Sequence, residues 1–385
     1  MSASPQEDEL VGARVQVLRA KVEDGIAMSF APLGFRSMVL VELETADHRV
    51  GYGESWVNFP SWAAQERVAT LQEGVFPLLI GRDARRITQL HRMLVATLEP
   101  LGRQWGAPGP VMQAISAVDI ALWDLHGKAE GRAVSWLAGG GRVRDTGAVY
   151  ASSLGPDGVP EQAARCRADG HRAVKVRLGF GRTRDEAILA AARDACGDGM
   201  VLYADANQRW ILPEALDAAP LLREYKVAWV EEPIRGNRIA DLEEFHRRTG
   251  LEVATGENVY GADAFWGYVA SPAVKVLQPD VTKTGGLTEA FAICKLAEAR
   301  GKQVIPHLYG GAVAFAATLQ LAGCAPAVTA VEYDFRQNPL RDPLLVDAPH
   351  PVGGVIDIPT GPGLGAELDP RAVAAYVNSP MELLT

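Results

Sequence analysis

The chain has 385 residues, a formal net charge of −9, 48% hydrophobic residues and 22% charged residues. This is ordinary globular composition on a chain long enough to bury a large core, which excludes a disordered protein or one that depends on staples. The acidic balance argues against nucleic-acid and anionic-membrane partners and leaves a small molecule as the expected ligand. Four cysteines, Cys166, Cys196, Cys294 and Cys324, lie far apart with no CxxC pair. That pattern fits a reduced cytoplasmic protein and neither a disulfide framework nor a zinc site. Residues 1–10 are polar, lack an apolar run, and read as a frayed end and not as a signal peptide.

In chain order, residues 14–23, 37–44 and 48–54 read as strands, the last two joined by a turn at Ala46-Asp47. Helical patterns follow over 62–80, 83–98 and 110–129; in the third, Ala114, Ile115, Val118, Ala121, Leu122 and Leu125 recur at helix spacing. Gly139-Gly140-Gly141 marks a boundary. From about residue 145 short apolar runs alternate with Ala-rich helical stretches. The runs are 147–152, 173–178, 201–204, 227–230, 252–255, 274–277, 303–305 and 328–331. Eight strands with helices between them predict a β/α barrel. A doubly wound open sheet is the rival, but it would carry a Gly-rich turn after an early strand, and none is evident. Residues 312–331 are mostly apolar yet contain Thr318, Gln320, Gly323 and Pro326. They read as a buried helix to about Cys324, a break at Pro326 and a strand, not as a membrane span.

Polar residues fall at the ends of these strands. They are Lys175-Val176-Arg177, Asp205-Ala206-Asn207, Glu231-Glu232-Pro233, Gly256-Glu257-Asn258, Gln278-Pro279-Asp280, Pro306-His307 and Glu332. Asp205, Glu231, Glu257, Asp280, His307 and Glu332 succeed one another at steps of 26, 26, 23, 27 and 25 residues. Each step is one βα unit, so each ionisable group sits at the carboxyl end of its own strand, where a barrel gathers its active site. Asp205, Glu231 and Glu257 come from three adjacent strands. Three carboxylates aimed at one spot repel each other unless a cation joins them. Oxygen ligands without His or Cys suit Mg²⁺, with Mn²⁺ as a substitute. Pairing with Lys175 and Lys283 is the plainer reading, but two lysines do not neutralise this many acids. His307 and Asp280 lie on neighbouring strands, where the acid would fix the tautomer of a catalytic base. No serine or cysteine lies at a nucleophile elbow, so acyl-enzyme chemistry has no support.

Eight segments give the chain a family resemblance over nearly its whole length. They are AISAVDIALWDLHGK (114–128), KVRLGFG (175–181), YADANQRW (203–210), WVEEP (229–233), TGEN (255–258), LQPDVTKTGG (277–286), IPHLYGG (305–311) and VEYD (331–334). The chain resembles the enolase superfamily and, within it, the mandelate racemase subgroup. The resemblance implies an α/β fold: a modified TIM barrel, (β/α)7β, over residues 136–335. An N-terminal α+β capping domain over 1–135 would cover it, and residues 336–385 would return to that cap. It implies one Mg²⁺ on Asp205, Glu231 and Glu257 and a His307–Asp280 base dyad. It gives Lys175 a carboxylate-binding role and Glu332 that of an acid bonded to the substrate carboxylate. The muconate-cycloisomerase subgroup has Lys where this chain has Asp280; Lys283 is expected in the following loop.

The shared chemistry follows from these parts. A proton α to a carboxylate is a very weak acid, because its removal places two negative charges on one group. A metal on the carboxylate oxygens and an acid such as Glu332 stabilise that enediolate, and a base over the α-carbon takes the proton. One position departs from the resemblance. The subgroup has Lys-x-Lys on the second barrel strand, its second Lys a base on the face opposite His. Here that place is Arg177, a poor base because guanidinium stays protonated. This disfavours two-base racemisation and favours β-elimination of water, an acid dehydratase, with a racemase, epimerase or lactone cycloisomerase as the alternative. A non-catalytic metal-binding scaffold is a remote third. Substrate size is expected to be set by loops 26–36 and 55–63, which hold Phe30, Phe35, Trp56, Phe59 and Trp62. Asn207, Trp56, Phe59 and Tyr309 are the expected substrate contacts. The expected protein is a cytoplasmic homo-oligomer acting on a small-molecule carboxylate.

Overall fold

In the computed structural model residues 7–22, 27–138, 141 and 143–378 are described, together with the backbone of 382–384. The start of the frayed end, residue 23 of the first strand, residue 26 of the first loop and Gly139-Gly140 lie outside them.

The first layer is an antiparallel sheet of β1 (Leu10–Lys21), β2 (Phe35–Thr45) and β3 (Val50–Trp56). Helices α1 (Ala63–Ala69), α2 (Ile87–Trp105) and α3 (Pro108–Ala129) cover one face of it. Leu10, Val15, Val39 and Val41 pack there with Leu90, Leu94, Leu98, Ile115, Val118 and Leu122. Two glycines set the distance between β3 and α3. A Cβ at Gly51 would stand 2.3 Å from the Ala121 carbonyl oxygen, and one at Gly53 would stand 1.7 Å from that of Ala117.

Two helical stretches of this layer differ from their sequence patterns. The stretch 62–80 is helical but not one α-helix: α1 passes into a wider π turn over Thr70–Val75 and a tight 3₁₀ turn over Phe76–Leu78. These changes of pitch leave Leu71, Val75 and Phe76 all fully buried. The helix expected over 83–98 starts at Ile87, because Asp83 holds a turn by accepting from the Arg85 N–H at 3.0 Å. It runs through Pro100 and ends at Gly106, whose φ of 78° suits glycine.

After the short helix α4 (Val134–Ala138) the barrel begins. Its strands are β4 (Thr146–Leu154), β5 (Ala173–Arg177), β6 (Val201–Asp205), β7 (Val227–Glu231), β8 (Val253–Thr255), β9 (Val274–Leu277), β10 (Gln303–Val304) and β11 (Val331–Asp334). Between them run α5 (Val159–Ala168), α6 (Arg182–Cys196), α7 (Leu212–Glu224), α8 (Ile239–Thr249), α9 (Ala262–Ala270), α10 (Gly286–Ala299) and α11 (Ala312–Cys324). The order β10-β9-β8-β7-β6-β5-β4-β11 is parallel throughout, so the architecture is (β/α)7β. Residues 327–329 hydrogen-bond to Val304 before β11 pairs with β4, and this closes the circle. The strand expected at 328–331 is therefore displaced to Val331–Asp334: the segment changes partner midway, and Glu332 lies within the strand and not past its end.

The apolar stretch from residue 312 is α11, buried at every position. Among the described residues no helix is long and apolar enough to cross a membrane. The four cysteines are free and buried. Beyond the barrel come β12 (Val355–Asp357), antiparallel to β4, then α12 (Pro370–Ala375) and β13 (Glu382–Leu384), antiparallel to β1.

Candidate active site

The strand ends and the first layer enclose one cavity of about 730 Å³. Inside the barrel Tyr150, Trp229, Ala254, Val276 and Ile305 form a separate buried cluster, with Tyr203 stacked on Trp229 at 4.0 Å. Lys175, Arg177, Asp205, Asn207, Glu257, His307, Tyr309 and Glu332 line the barrel side, and Trp56 and Phe59 line the cap side. Glu231 and Asp280 stand behind this lining, both buried.

Backbone strain gathers at this mouth. Ser153, Asn207, Gln208 and Glu232 carry φ of 73°, 45°, 58° and 38°, a conformation side-chain-bearing residues rarely adopt. It turns Glu232, the residue after an inward-facing Glu231, back into the cavity. There Glu232 accepts from the amides of Asn237 at 2.7 Å and Gln208 at 2.9 Å.

His307 is held at both ring nitrogens. Nδ1 lies 2.7 Å from Asp280 Oδ2, and Nε2 lies 2.8 Å from Glu257 Oε2. Asp280 is itself fixed, its Oδ1 accepting from the Thr282 N–H at 2.7 Å and hydroxyl at 2.6 Å. Burial opposes a charged imidazole, but Glu257 and Asp280 outweigh it and raise His307 well above its ordinary pKa. The same pairing acts in reverse on Glu257. Burial raises that carboxyl, but the charges of His307 and Lys283 hold it well below the usual range.

Lys175 bridges two acids, donating to Glu231 Oε2 at 2.5 Å and meeting Glu332 Oε1 at 2.9 Å. Gln278 also donates to Glu231 Oε2, at 2.7 Å, while Glu231 Oε1 is buried with no partner. Among the described residues the Asp205 carboxylate accepts from Asn207 alone, through its backbone N–H at 2.8 Å and its amide at 2.9 Å. Burial, with Glu257 and Glu232 nearby, pushes Asp205 up to about 6, and burial, with Asp205 and Glu332 nearby, pushes Glu231 up to about 8, both against the pull of Lys175.

Among the described residues no three His, Cys, Asp or Glu side chains close to metal-ligating separations; Glu231 turns to Lys175 and Glu257 to His307. The donor set nevertheless suits a hard dication. It offers only oxygen ligands, an orphaned carboxylate oxygen on Glu231 and an orphaned amide oxygen on Asn207. After burial, the neighbouring acids add to the rise of Asp205 and Glu231, which a cation would offset.

Two residues differ from their sequence reading. Lys283 does lie in the turn after β9, but its side chain is buried and lines the cavity. Its Nζ donates to Asn258 Oδ1 at 2.8 Å and sits 4.5 Å above the Trp56 ring. Phe35 opens β2 with the Arg19 guanidinium 4.0 Å over its ring, and is not part of the cavity lining. The cap wall is instead Met28, Phe30, Trp56, Phe59 and Trp62, with Phe30 and Phe59 edge to face at 5.1 Å.

With this geometry in place, comparison with known proteins identifies the family. Residues 12–139 match the mandelate racemase / muconate lactonizing enzyme N-terminal domain, and residues 158–372 match the enolase C-terminal domain-like family. The chain belongs to the mandelate racemase group of the enolase superfamily. Among its relatives is D-galactarolactone cycloisomerase of Agrobacterium fabrum, 31% identical over 96% of this chain and 98% of that one. Arabinonate dehydratase of Saccharolobus solfataricus is 30% identical over 85% and 87%. The solved mandelate racemase/muconate lactonizing enzyme from Bordetella bronchiseptica is 33% identical, with a TM-score of 0.85 over 97% of this chain and all of that one. The family is one of lyases and isomerases; this chain is an enzyme of that superfamily.

Proposed function

We propose that this enzyme removes the proton α to the carboxylate of a hydroxy acid, with His307 as base, and eliminates water from the β-carbon. The observation that carries this reading is the 2.7 Å contact between His307 Nδ1 and a Thr282-anchored Asp280 at the edge of an acid-lined cavity. An ionised carboxylate can only accept, so Asp280 keeps a proton on Nδ1; Nε2, which meets Glu257 here, would be the nitrogen that receives one from substrate once Glu257 is taken up as a metal ligand. Once charged, the imidazole can return that proton to the departing hydroxyl.

Asp205, Glu231 and Glu257 would hold Mg²⁺, with Mn²⁺ as substitute. When bound, the ion supplies positive charge against the substrate carboxylate as the α-proton leaves. Lys175 places a second cation beside that carboxylate, and Glu332, 2.9 Å from Lys175, hydrogen-bonds it from the same end of the cavity. Arg177 stays protonated and does not act as a second base. Asn207, Trp56, Phe59 and Tyr309 contact the rest of the substrate.

The dehydratases among the relatives support elimination. The isomerase reading keeps a place because D-galactarolactone cycloisomerase matches 96% of the chain. Both begin with the same proton transfer. The first test is therefore the metal: excess EDTA should abolish α-proton exchange with sugar acids in D₂O, and Mg²⁺ should restore it. Asp205→Asn, Glu231→Gln and Glu257→Gln should each weaken Mg²⁺ binding by calorimetry. Full exchange in the presence of EDTA overturns the proposal.

A further inference from the structure

Lys175, Arg177, Lys283 and Arg67 are the lysines and arginines that line the cavity. Lys175 meets Glu231 and Glu332, Lys283 lies 4.0 Å from Glu257, and Arg67 lies 3.4 Å from Glu66. Among the described residues Arg177 has no carboxylate within ion-pair distance, although it is buried. Its guanidinium donates to the Ala27 carbonyl at 3.3 Å and the Ser153 hydroxyl at 3.1 Å, and it touches Met28 Sδ at 3.5 Å. Burial opposes its charge, and the Tyr309 hydroxyl, then Asp334 and Asp205 from beyond ion-pair distance, support it. A buried cation with neutral partners is costly unless a ligand supplies the anion.

Two further observations fall at the same corner. The β4–β5 pairing steps from Ala151↔Val174 to Leu154↔Val176, so β4 carries one extra residue. This bulge puts Ser153 at a φ of 73° with its hydroxyl on Arg177, as bulges beside active sites re-aim side chains. Tyr309 adds a buried hydroxyl with no well-formed hydrogen bond. Its ring lies 5.5 Å from the Arg177 guanidinium and 4.7 Å from that of Arg36, which is paired with Asp334. Three donors thus converge where the cavity has a positive charge and no acid of its own.

We infer that Arg177, Ser153 and Tyr309 form an oxyanion subsite for a second carboxylate, and that the substrate is a hydroxy diacid. This rests on the proposed function, in which Lys175, Glu332 and the metal-holding acids already provide for the reacting carboxylate. Arg177 is then the binding site of the other end. The planar guanidinium takes that carboxylate, the two hydroxyls donate to its remaining lone pairs, and the cap loop at Ala27 and Met28 closes over the pair.

The test uses sugar diacids (aldarates), each paired with the monoacid of the same configuration that carries CH₂OH in place of the far carboxylate. Binding to the Mg²⁺-loaded protein is read by calorimetry and α-proton exchange separately by NMR. Wild type should bind the diacid of at least one pair about 10- to 100-fold more tightly than its monoacid. Arg177→Gln should erase that preference while changing monoacid affinity little, and Tyr309→Phe should reduce it in part. Equal affinity for both members of every pair, or a preference that survives Arg177→Gln, overturns the subsite. Tight diacid binding without α-proton exchange upholds the subsite and overturns the proposed function instead.

Discussion

His307 meets a carboxylate at each ring nitrogen, Asp280 at Nδ1 and Glu257 at Nε2, so substitutions on its two sides separate the base from its support. His307→Asn deletes the only proposed proton acceptor. It should lower α-proton exchange by about 10²- to 10⁴-fold, the usual worth of a general base, with Mg²⁺ affinity by calorimetry unchanged. Asp280→Asn leaves the imidazole and disturbs its tautomer, for an expected loss of about 10- to 100-fold. Near-normal exchange by His307→Asn would move the assignment to Lys175. At this scale the sequence was readable where one polar residue ends each strand, because a step of one βα unit returns the chain to the same mouth. It was not readable at Glu232 or Ser153. Strand alternation sends the residue after Glu231 away from the cavity, and only a φ of 38° brings it back. Ser153 needs a bulge that no local pattern announces. Lys283 was assigned to the right turn, but burial beneath Trp56 depends on the cap, far away in sequence.

One contact between elements couples the two layers behind the base. Glu54 in β3 accepts from the backbone N–H groups of Gly311 at 2.6 Å and Ala314 at 2.8 Å. It thereby caps the first turn of α11, whose N-terminus follows the His307 segment. Burial raises the Glu54 carboxyl to about 7 despite these amides. An acid whose folded pKa exceeds its unfolded value contributes stability that is fully present below about pH 4.5. That contribution is lost as pH rises through about 7, and its upper bound is about 3 kcal/mol. Glu54→Gln sets an amide N–H against a backbone N–H and should cost about 1–3 kcal/mol. It should also remove this titration, so the gap in Tm between wild type and variant should shrink from pH 5 to pH 8. A gap that widens over this range would contradict the account. The elements were legible where one periodicity holds throughout, as in α3 and the barrel strands. They were blurred where pitch or partner changes: in the π and 3₁₀ turns after α1, at Pro100 within α2, and where residues 327–334 pass from β10 to β4.

The whole molecule places a single cavity between a cap that contributes aromatic side chains and a barrel mouth that contributes charge. The rhythm of about 25 residues made the barrel visible in the sequence, since it counts βα units directly. The cap's relation to the mouth was not countable in that way, because residues such as Trp56, Glu54 and Asn58 reach the barrel across more than 200 positions. This arrangement leaves the proposed base on β10's side and an arginine on β5. In an eight-stranded barrel these strands stand three steps apart, roughly 135° around the mouth. The most direct measurement incubates each enantiomer of an active hydroxy acid with the Mg²⁺-loaded enzyme in D₂O, following deuterium and chirality together. The account predicts that one α-configuration alone loses its proton, with a keto acid formed from substrates that carry a β-hydroxyl. Rapid interconversion of both enantiomers, with deuterium entering each, would contradict it.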